Sequence, residues 1–169
     1  FTVTNNNRVG IGTNSPATQL HLEGSASYFR TKNTSAPTDE KTWDYNAGTD
    51  GTFRFRALND AATDANNWMV VNRSGVDINY ITMSTGNQVE ALRIDSSQNV
   101  IVGHTAADDT TASASLRYDG RIYSTVSADQ CLSLNRLSSD GEIITFKKDS
   151  VIVGTVGTST TDLFIGTGV

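Results

Sequence analysis

The sequence predicts an all-β protein, and three of its features carry that prediction. Apolar and polar residues alternate at period two in one short segment after another. Gly, Asn, Asp and Ser separate those segments at close intervals. Helical spacing of apolar residues is missing. The nearest window, Asn59 to Trp68 (NDAATDANNW), has no apolar stripe and reads as a loop.

The strands follow in order. In RVGIGTNSP, Val9 and Ile11 fall on one side of an extended chain. Gly10 and Gly12 fall on the other and leave room for another backbone, as at a crowded multi-chain axis, and Pro16 ends the strand. In TQLHLEG, Leu20 and Leu22 oppose Gln19, His21 and Glu23. In TWDYN, Trp43 and Tyr45 share a face. In TFRFRAL, Phe53, Phe55 and Ala57 oppose Arg54 and Arg56. NWMVVNRSG and VDINYITM form two strands joined at Arg73-Ser74-Gly75. A strand running to Ile94 turns through polar residues into another from Val100. GEIITFKKDSVIVGTVG predicts a hairpin turning at Lys148-Asp149-Ser150.

Gly10-Ile11-Gly12 also invites a phosphate-loop reading. A dinucleotide-binding loop needs a third glycine and a following helix. Here Thr13, Asn14, Ser15 and Pro16 follow, then a strand pattern, and no Gly-Lys occurs anywhere for a P-loop. A turn between strands accounts for more of these residues.

The bulk composition narrows the class. The chain has 169 residues, a net charge of -5, 37% hydrophobic and 18% charged residues. Thr, Ser, Asn and Gly fill the balance. Such a chain suits thin apolar layers that are completed by further copies of itself. The acidic balance and the lack of a basic stripe beyond Lys147-Lys148 argue against nucleic acid, and no apolar segment reaches membrane-spanning length. Cys131 is the single cysteine, so no internal disulfide forms, and it reads as a small apolar side chain. The start at Phe1, without an initiator Met or a signal-peptide pattern, suggests a fragment or a processed product.

Short segments repeat. NRVGIGTNS, QNVIVGHTA and DSVIVGTVG share a polar turn, a Val-x-[Ile/Val]-Gly centre or its near equivalent, and a polar exit, and TDLFIGTG echoes them. YDGRIYS and SDGEIITF each set Asp-Gly before a strand containing Ile. RVGIGTNSPATQLHLEG resembles the VGIGTxSPxxxLxV signature of bacteriophage tail fibres and related trimeric fibre proteins. LSLNRLSSDGEIITFKKDSVIVGTVG is similar to the fibre segment that precedes an endosialidase-type intramolecular chaperone domain. Leu132, Leu134, Arg136, Asp140, Gly141, Phe146, Val151 and Gly154 carry the second resemblance. Together the two cover the first two dozen residues and about the last third of the chain. The resemblance implies a homotrimeric virion fibre, with other virion tail proteins and a bacterial surface glycan or protein as partners. It assigns no residue of the chaperone's self-cleaving machinery, so that domain was cleaved off or lies beyond this segment.

Several residues are candidates for chemistry or contact. Trp43, Asp44, Tyr45, Asn46, Asp64, Asn66 and Trp68 pair aromatic faces with carboxylates and amides, as sugar-binding sites do. The competing and commoner fate of such aromatics is a β core. Asp108-Asp109 and Asp60 with Asp64 are acid pairs. Neighbours on a strand point to opposite faces, so loop solvation explains them better than catalysis. His21 and His104 have no close metal-ligating partner, and the Asp- and Asn-rich loops lack the EF-hand spacing. No Gly-x-Ser-x-Gly is present, and the sequons at Asn33 and Asn72 fit chance in so polar a chain.

The expected protein is therefore non-enzymatic, without cofactor or metal, and located in the virion. It is all-β: an intertwined homotrimeric fibre with an axial β segment over 1–24, a small β-sandwich-like module over 25–94 and a slender intertwined stem over 95–169. Val9, Ile11, Leu20, Leu22, Val100, Val102, Val151 and Val153 are its trimer-axis candidates. The loops Thr34 to Thr42 and Asn59 to Asn67 are its outward contacts. A polysaccharide-degrading tailspike fragment and a bacterial surface adhesin or filament subunit are the competing readings.

Overall fold

The computed structural model of the chain describes residues 1–25, 27–86, 88–108, 110–160 and 162–167. Asp109, Thr161 and Gly168, used in the reading above, lie outside them. The described residues form fifteen strands and no helix. The chain divides into Phe1–Ser127 and Ala128–Val169.

The first unit opens with a three-stranded sheet, β1 (Thr2–Val3), β2 (Val9–Ile11) and β3 (Leu20–Leu22). β1 and β2 are antiparallel, whereas β2 and β3 run parallel in the register Val9↔Leu20, Gly10↔His21, Ile11↔Leu22. Val9, Ile11, Leu20 and Leu22 therefore share one face. The glycines work differently from expectation. A Cβ on Gly10 would strike the Thr13 carbonyl, and one on Gly12 (φ 83°) would strike the Glu23 carbonyl. The space they leave is filled by this chain's own backbone, not by a second chain. The Glu23 amide in turn donates to the Ile11 carbonyl at 2.9 Å and closes the turn.

A nine-stranded antiparallel meander follows: β4 (Ser27–Lys32), β5 (Thr42–Ala47), β6 (Thr52–Leu58), β7 (Ala65–Ser74), β8 (Asp77–Thr85), β9 (Val89–Asp95), β10 (Val100–Val102), β11 (Ser113–Leu116) and β12 (Ile122–Thr125). Every strand pairs with its neighbour in sequence, so each connection is a hairpin. Three observations correct the expected layout. The sheet runs straight through the boundary drawn at Ile94, because β10 pairs with β9. Among the described residues of this unit no second sheet packs on it, so residues 25–94 form one layer of the meander and not a two-sheet sandwich of their own. The segment read as a loop to Trp68 turns into strand at Ala65, where pairing with Leu58 overrides weak local patterning.

Two of the repeats are structurally alike. Asn7 (φ 58°) and Gln98 (φ 65°) each precede a three-residue strand that ends at a positive-φ glycine, Gly12 and Gly103. In both turns the chain closes in the same way, with Asn7 N donating to Thr4 O at 3.1 Å and Gln98 N to Asp95 O at 2.9 Å. The third copy departs, since Gly154 continues a strand.

The second unit holds an irregular stretch and then an antiparallel meander of β13 (Gly141–Lys148), β14 (Val151–Ser159) and β15 (Asp162–Gly166). Leu132 and Leu134 lie in the irregular stretch and are exposed. Arg136 organises the entry to β13. Its Nε donates to the Ser139 carbonyl at 3.0 Å, and its guanidinium packs where a Gly141 side chain would stand. Asp140 accepts the Thr160 amide at 2.7 Å and ties that entry to the β14–β15 turn. The predicted hairpin turns at Asp149 (φ 50°) and Ser150 (φ 68°), the two positive angles of a type I′ turn.

Candidate interaction surface

The meander's register builds two unbroken rows on one face. The first is Phe29, Tyr45, Phe55, Met69, Met83, Leu92, Val102, Ala114 and Ser124. The second is Ser27, Ala47, Phe53, Val71, Ile81, Ile94, Val100, Leu116 and Ile122. Neither row contains a charge. At the aromatic end the rings touch: Phe29 stacks on Tyr45 at 5.1 Å between centroids, and Phe53 meets Phe55 edge-on at 5.3 Å. A bulge adds Trp68. Met69 pairs with Phe55 and Asn67 with Arg56, so Trp68 is the extra residue, and its ring lies 5.4 Å from that of Phe55.

This face is uncovered. Trp43 is 51% exposed, Met83 47%, Val102 49% and Leu116 53%. Among the described residues the buried hydrophobic side chains are Leu58 and Ile101. A compact 18.1 kDa protein exposes about 8,100 Å², and two separate globules of the two units' sizes about 9,500 Å² together. This chain exposes 12020 Å².

The opposite face is polar yet better packed. Between the two apolar rows, pointing the other way, runs Tyr28, Asn46, Arg54, Val70, Thr82, Arg93, Ile101, Ser115 and Tyr123. Arginines and tyrosines lie over their neighbours there. Arg93 sits 4.2 Å from the Tyr80 ring centroid and bonds Glu90 through Nη2 and Nε at 2.6 and 2.9 Å. Arg56 lies over the Tyr28 ring at 5.1 Å. Asp44 accepts from both Arg30 and Arg56, and its carboxylate is fully buried. Burial pushes the Asp44 carboxyl up, but the hydrogen bonds and charges of Arg56 and Arg30 outweigh it, so it titrates below its ordinary value. Arg54 pairs with Asp50 beside Gly48.

The candidate contact residues divide accordingly. Trp43, Tyr45 and Trp68 belong to the apolar face. Asp44 and Asn46 are buried on the reverse, so Trp43-Asp44-Tyr45-Asn46 cannot act as one exposed cluster. Asp64 and Asn66 are exposed at the end of the sheet. There the loops Thr34 to Thr42 and Asn59 to Asn67 stand side by side: the Asp60 amide donates to Asp39 at 2.9 Å, and Lys41 Nζ donates to the Asp60 carboxylate at 2.5 Å. Between them Asp39, Asn59, Asp64 and Asn66 line a hollow of about 190 Å³ floored by Ala57, Leu58 and Ala65.

The chain matches no protein-family model and no curated protein.

The trimer-axis candidates are all on strands. Val100 and Val102 sit in the apolar rows. Val9, Ile11, Leu20 and Leu22 form the apolar face of the first sheet, with Ile11 and Leu20 exposed. Val151 and Val153 are exposed on β14. Asp60 is engaged by Lys41 rather than paired with Asp64, and Asp108 accepts the amides of Thr110 and Thr111. His21 accepts the Ala17 amide at 3.3 Å. Among the described residues no group of three or more His, Cys, Asp or Glu is placed to hold a metal. Cys131 is exposed, which corrects its reading as a packed apolar side chain. Sequence reasoning missed Phe29, Met83, Leu92, Leu116 and Ile122 as members of the apolar face. The period-two signal was present at each, but only strand register shows that their faces are continuous.

Proposed function

We propose that the chain is a structural and host-recognition segment of a homotrimeric fibre of the bacteriophage tail-fibre kind, displayed on the virion and without catalytic activity. One observation carries this reading: among the described residues of the first unit, no other strand covers the apolar rows of the nine-stranded sheet, and their side chains stay exposed. Apolar surface left in water is unfavourable by about 25 cal/mol per Å², which favours association coupled to folding. The resemblance of RVGIGTNSPATQLHLEG to trimeric fibre signatures agrees with it. Receptor contact falls to the paired loops, whose acceptor-rich hollow suits the hydroxyls of a bacterial surface glycan. Contacts repeated over three chains bind by avidity without a deep pocket.

Native mass spectrometry tests the assembly, and a three-copy mass is expected. A chain that stays monomeric at micromolar concentration defeats the reading. Binding of the assembled protein to an array of bacterial surface polysaccharides tests recognition.

A further inference from the structure

We infer that copies of this chain meet through the apolar face of the nine-stranded sheet, so that both tryptophans are buried by a second copy and neither is available to a receptor. This rests on the self-association reading above and adds which surface associates and what it excludes.

Three observations select the occupant and the face. First, the two rows carry no charged side chain across all nine strands. Turned toward a shared three-fold axis, the two uncharged rows of each copy meet the same rows of the others, so assembly through them brings no like charges together and leaves no buried ion unpaired. Second, the reverse face is unsuited to the same role. It presents Arg30, Arg54, Arg56 and Arg93, already committed to Asp44, Asp50 and Glu90. Pressing it onto its twin would desolvate those pairs and oppose guanidinium to guanidinium. Third, the side chains of both rows are open within one chain: Phe29 is 43% exposed, Phe53 38%, Met83 47%, Val102 49%, Leu116 53% and Ile122 77%, so a second copy laid over them removes apolar surface from water along the sheet.

The tryptophans report on this directly. The chain has two, Trp43 and Trp68, and the structure sets both on the apolar face. Trp43 is 51% and Trp68 40% exposed within one chain. Assembly through this face shields them; assembly through any other leaves them open to solvent.

The experiment combines native mass with collisional quenching of tryptophan emission by acrylamide, on the full chain. A trimer whose emission is blue-shifted and resists quenching is the expected result. A trimer whose tryptophans quench as readily as free indole overturns this inference and leaves the fibre reading standing; a monomer overturns both. Met83→Glu, in the middle of the first row, should weaken assembly roughly tenfold or more, the effect of losing one buried side chain. Val76→Glu is the control, since Val76 is 90% exposed at the β7–β8 hairpin tip and outside both rows. Equal loss of assembly in the two variants would sink the proposal. If Met83→Glu does not fold, the quenching of the unaltered trimer still decides.

Discussion

Asp44 and Arg56 are register partners on neighbouring strands and meet through two hydrogen bonds, 2.7 Å from Nε to Oδ1 and 2.9 Å from Nη2 to Oδ2. Arg30 reaches the same carboxylate from the other side at 2.8 Å. One buried anion thus fastens β4, β5 and β6 on the polar face while their aromatic residues occupy the other. Asp44→Ala strands Arg56, which is only 18% exposed, and leaves Arg30 free to turn to water. The expected loss is about 3 kcal/mol, the lower end for breaking a buried pair because Arg30 is half in solvent. Urea unfolding at fixed protein concentration measures it.

The same carboxylate sets an acid limit. Burial raises the Asp44 carboxyl, the arginines lower it further, and the net position lies below its ordinary value of 3.8. Asp95 behaves alike: burial raises it, while bonds from Asn99 and Ser97 bring it below that value. Groups lowered in the folded state favour folding above their unfolded pKa, and that contribution is lost as pH falls through the folded one. Stability should therefore be level from neutral pH to about pH 5 and fall below about pH 4. Asp44→Asn should flatten the fall, which thermal melting between pH 7 and pH 2 would show. An unchanged acid limb would contradict the assignment.

Gly12 is the backbone position least tolerant of change. Its φ of 83° disfavours any side chain, and the Glu23 carbonyl occupies the Cβ position. Gly12→Ala should cost at least about 2 kcal/mol locally and open the β2–β3 pairing. Hydrogen exchange at the Glu23 and Val9 amides, bonded to Ile11 and Gln19, is the readout.

How far the residues announced this arrangement varies from element to element. Phe53, Phe55 and Ala57 opposite Arg54 and Arg56 were legible, because period two is local. So was the turn at Asp149-Ser150, which depends on two adjacent residues, whereas the turn expected at Arg73-Ser74-Gly75 falls at Gly75-Val76, because Arg73 and Ser74 still pair with Ile78 and Asp77. Trp68 was not legible. A bulge moves it onto the face that simple alternation would deny it, and bulges are set by the partner strand. Nor was the burial of Asp44 and Asn46. Polar residues are expected outside, and only the overlying arginines and tyrosines of adjoining strands enclose them. The glycine-rich turn misled for a related reason: a missing side chain shows that something comes close, not which chain supplies it.

The β13–β14 turn offers a gain. Asp149 and Ser150 both hold positive φ, and neither is the residue that does so most cheaply. Asp149→Asn with Ser150→Gly installs the preferred type I′ pair and should stabilise the hairpin by about 1 kcal/mol. Slower hydrogen exchange along β13 and β14, with the assembled mass unchanged, is expected. Faster exchange would mean that the turn is held by contacts outside the hairpin.

Recognition and assembly should separate by mutation. Asp64 and Asn66 stand at the loop hollow, whereas Trp43 stands on the apolar face. Asp64→Ala with Asn66→Ala removes two acceptors from the hollow without touching either row. On the proposed function, glycan binding by the assembled protein should fall roughly tenfold or more, about one hydrogen bond's worth for each residue lost, while native mass is unaltered. Trp43→Ala should act in the opposite order, weakening assembly first and lowering binding only through lost avidity. Comparing the variants at a concentration where all remain trimeric isolates the direct effect. Binding that survives the loop variant but disappears in trimeric Trp43→Ala would move the receptor onto the aromatic end of the sheet, and copies could then not cover that end.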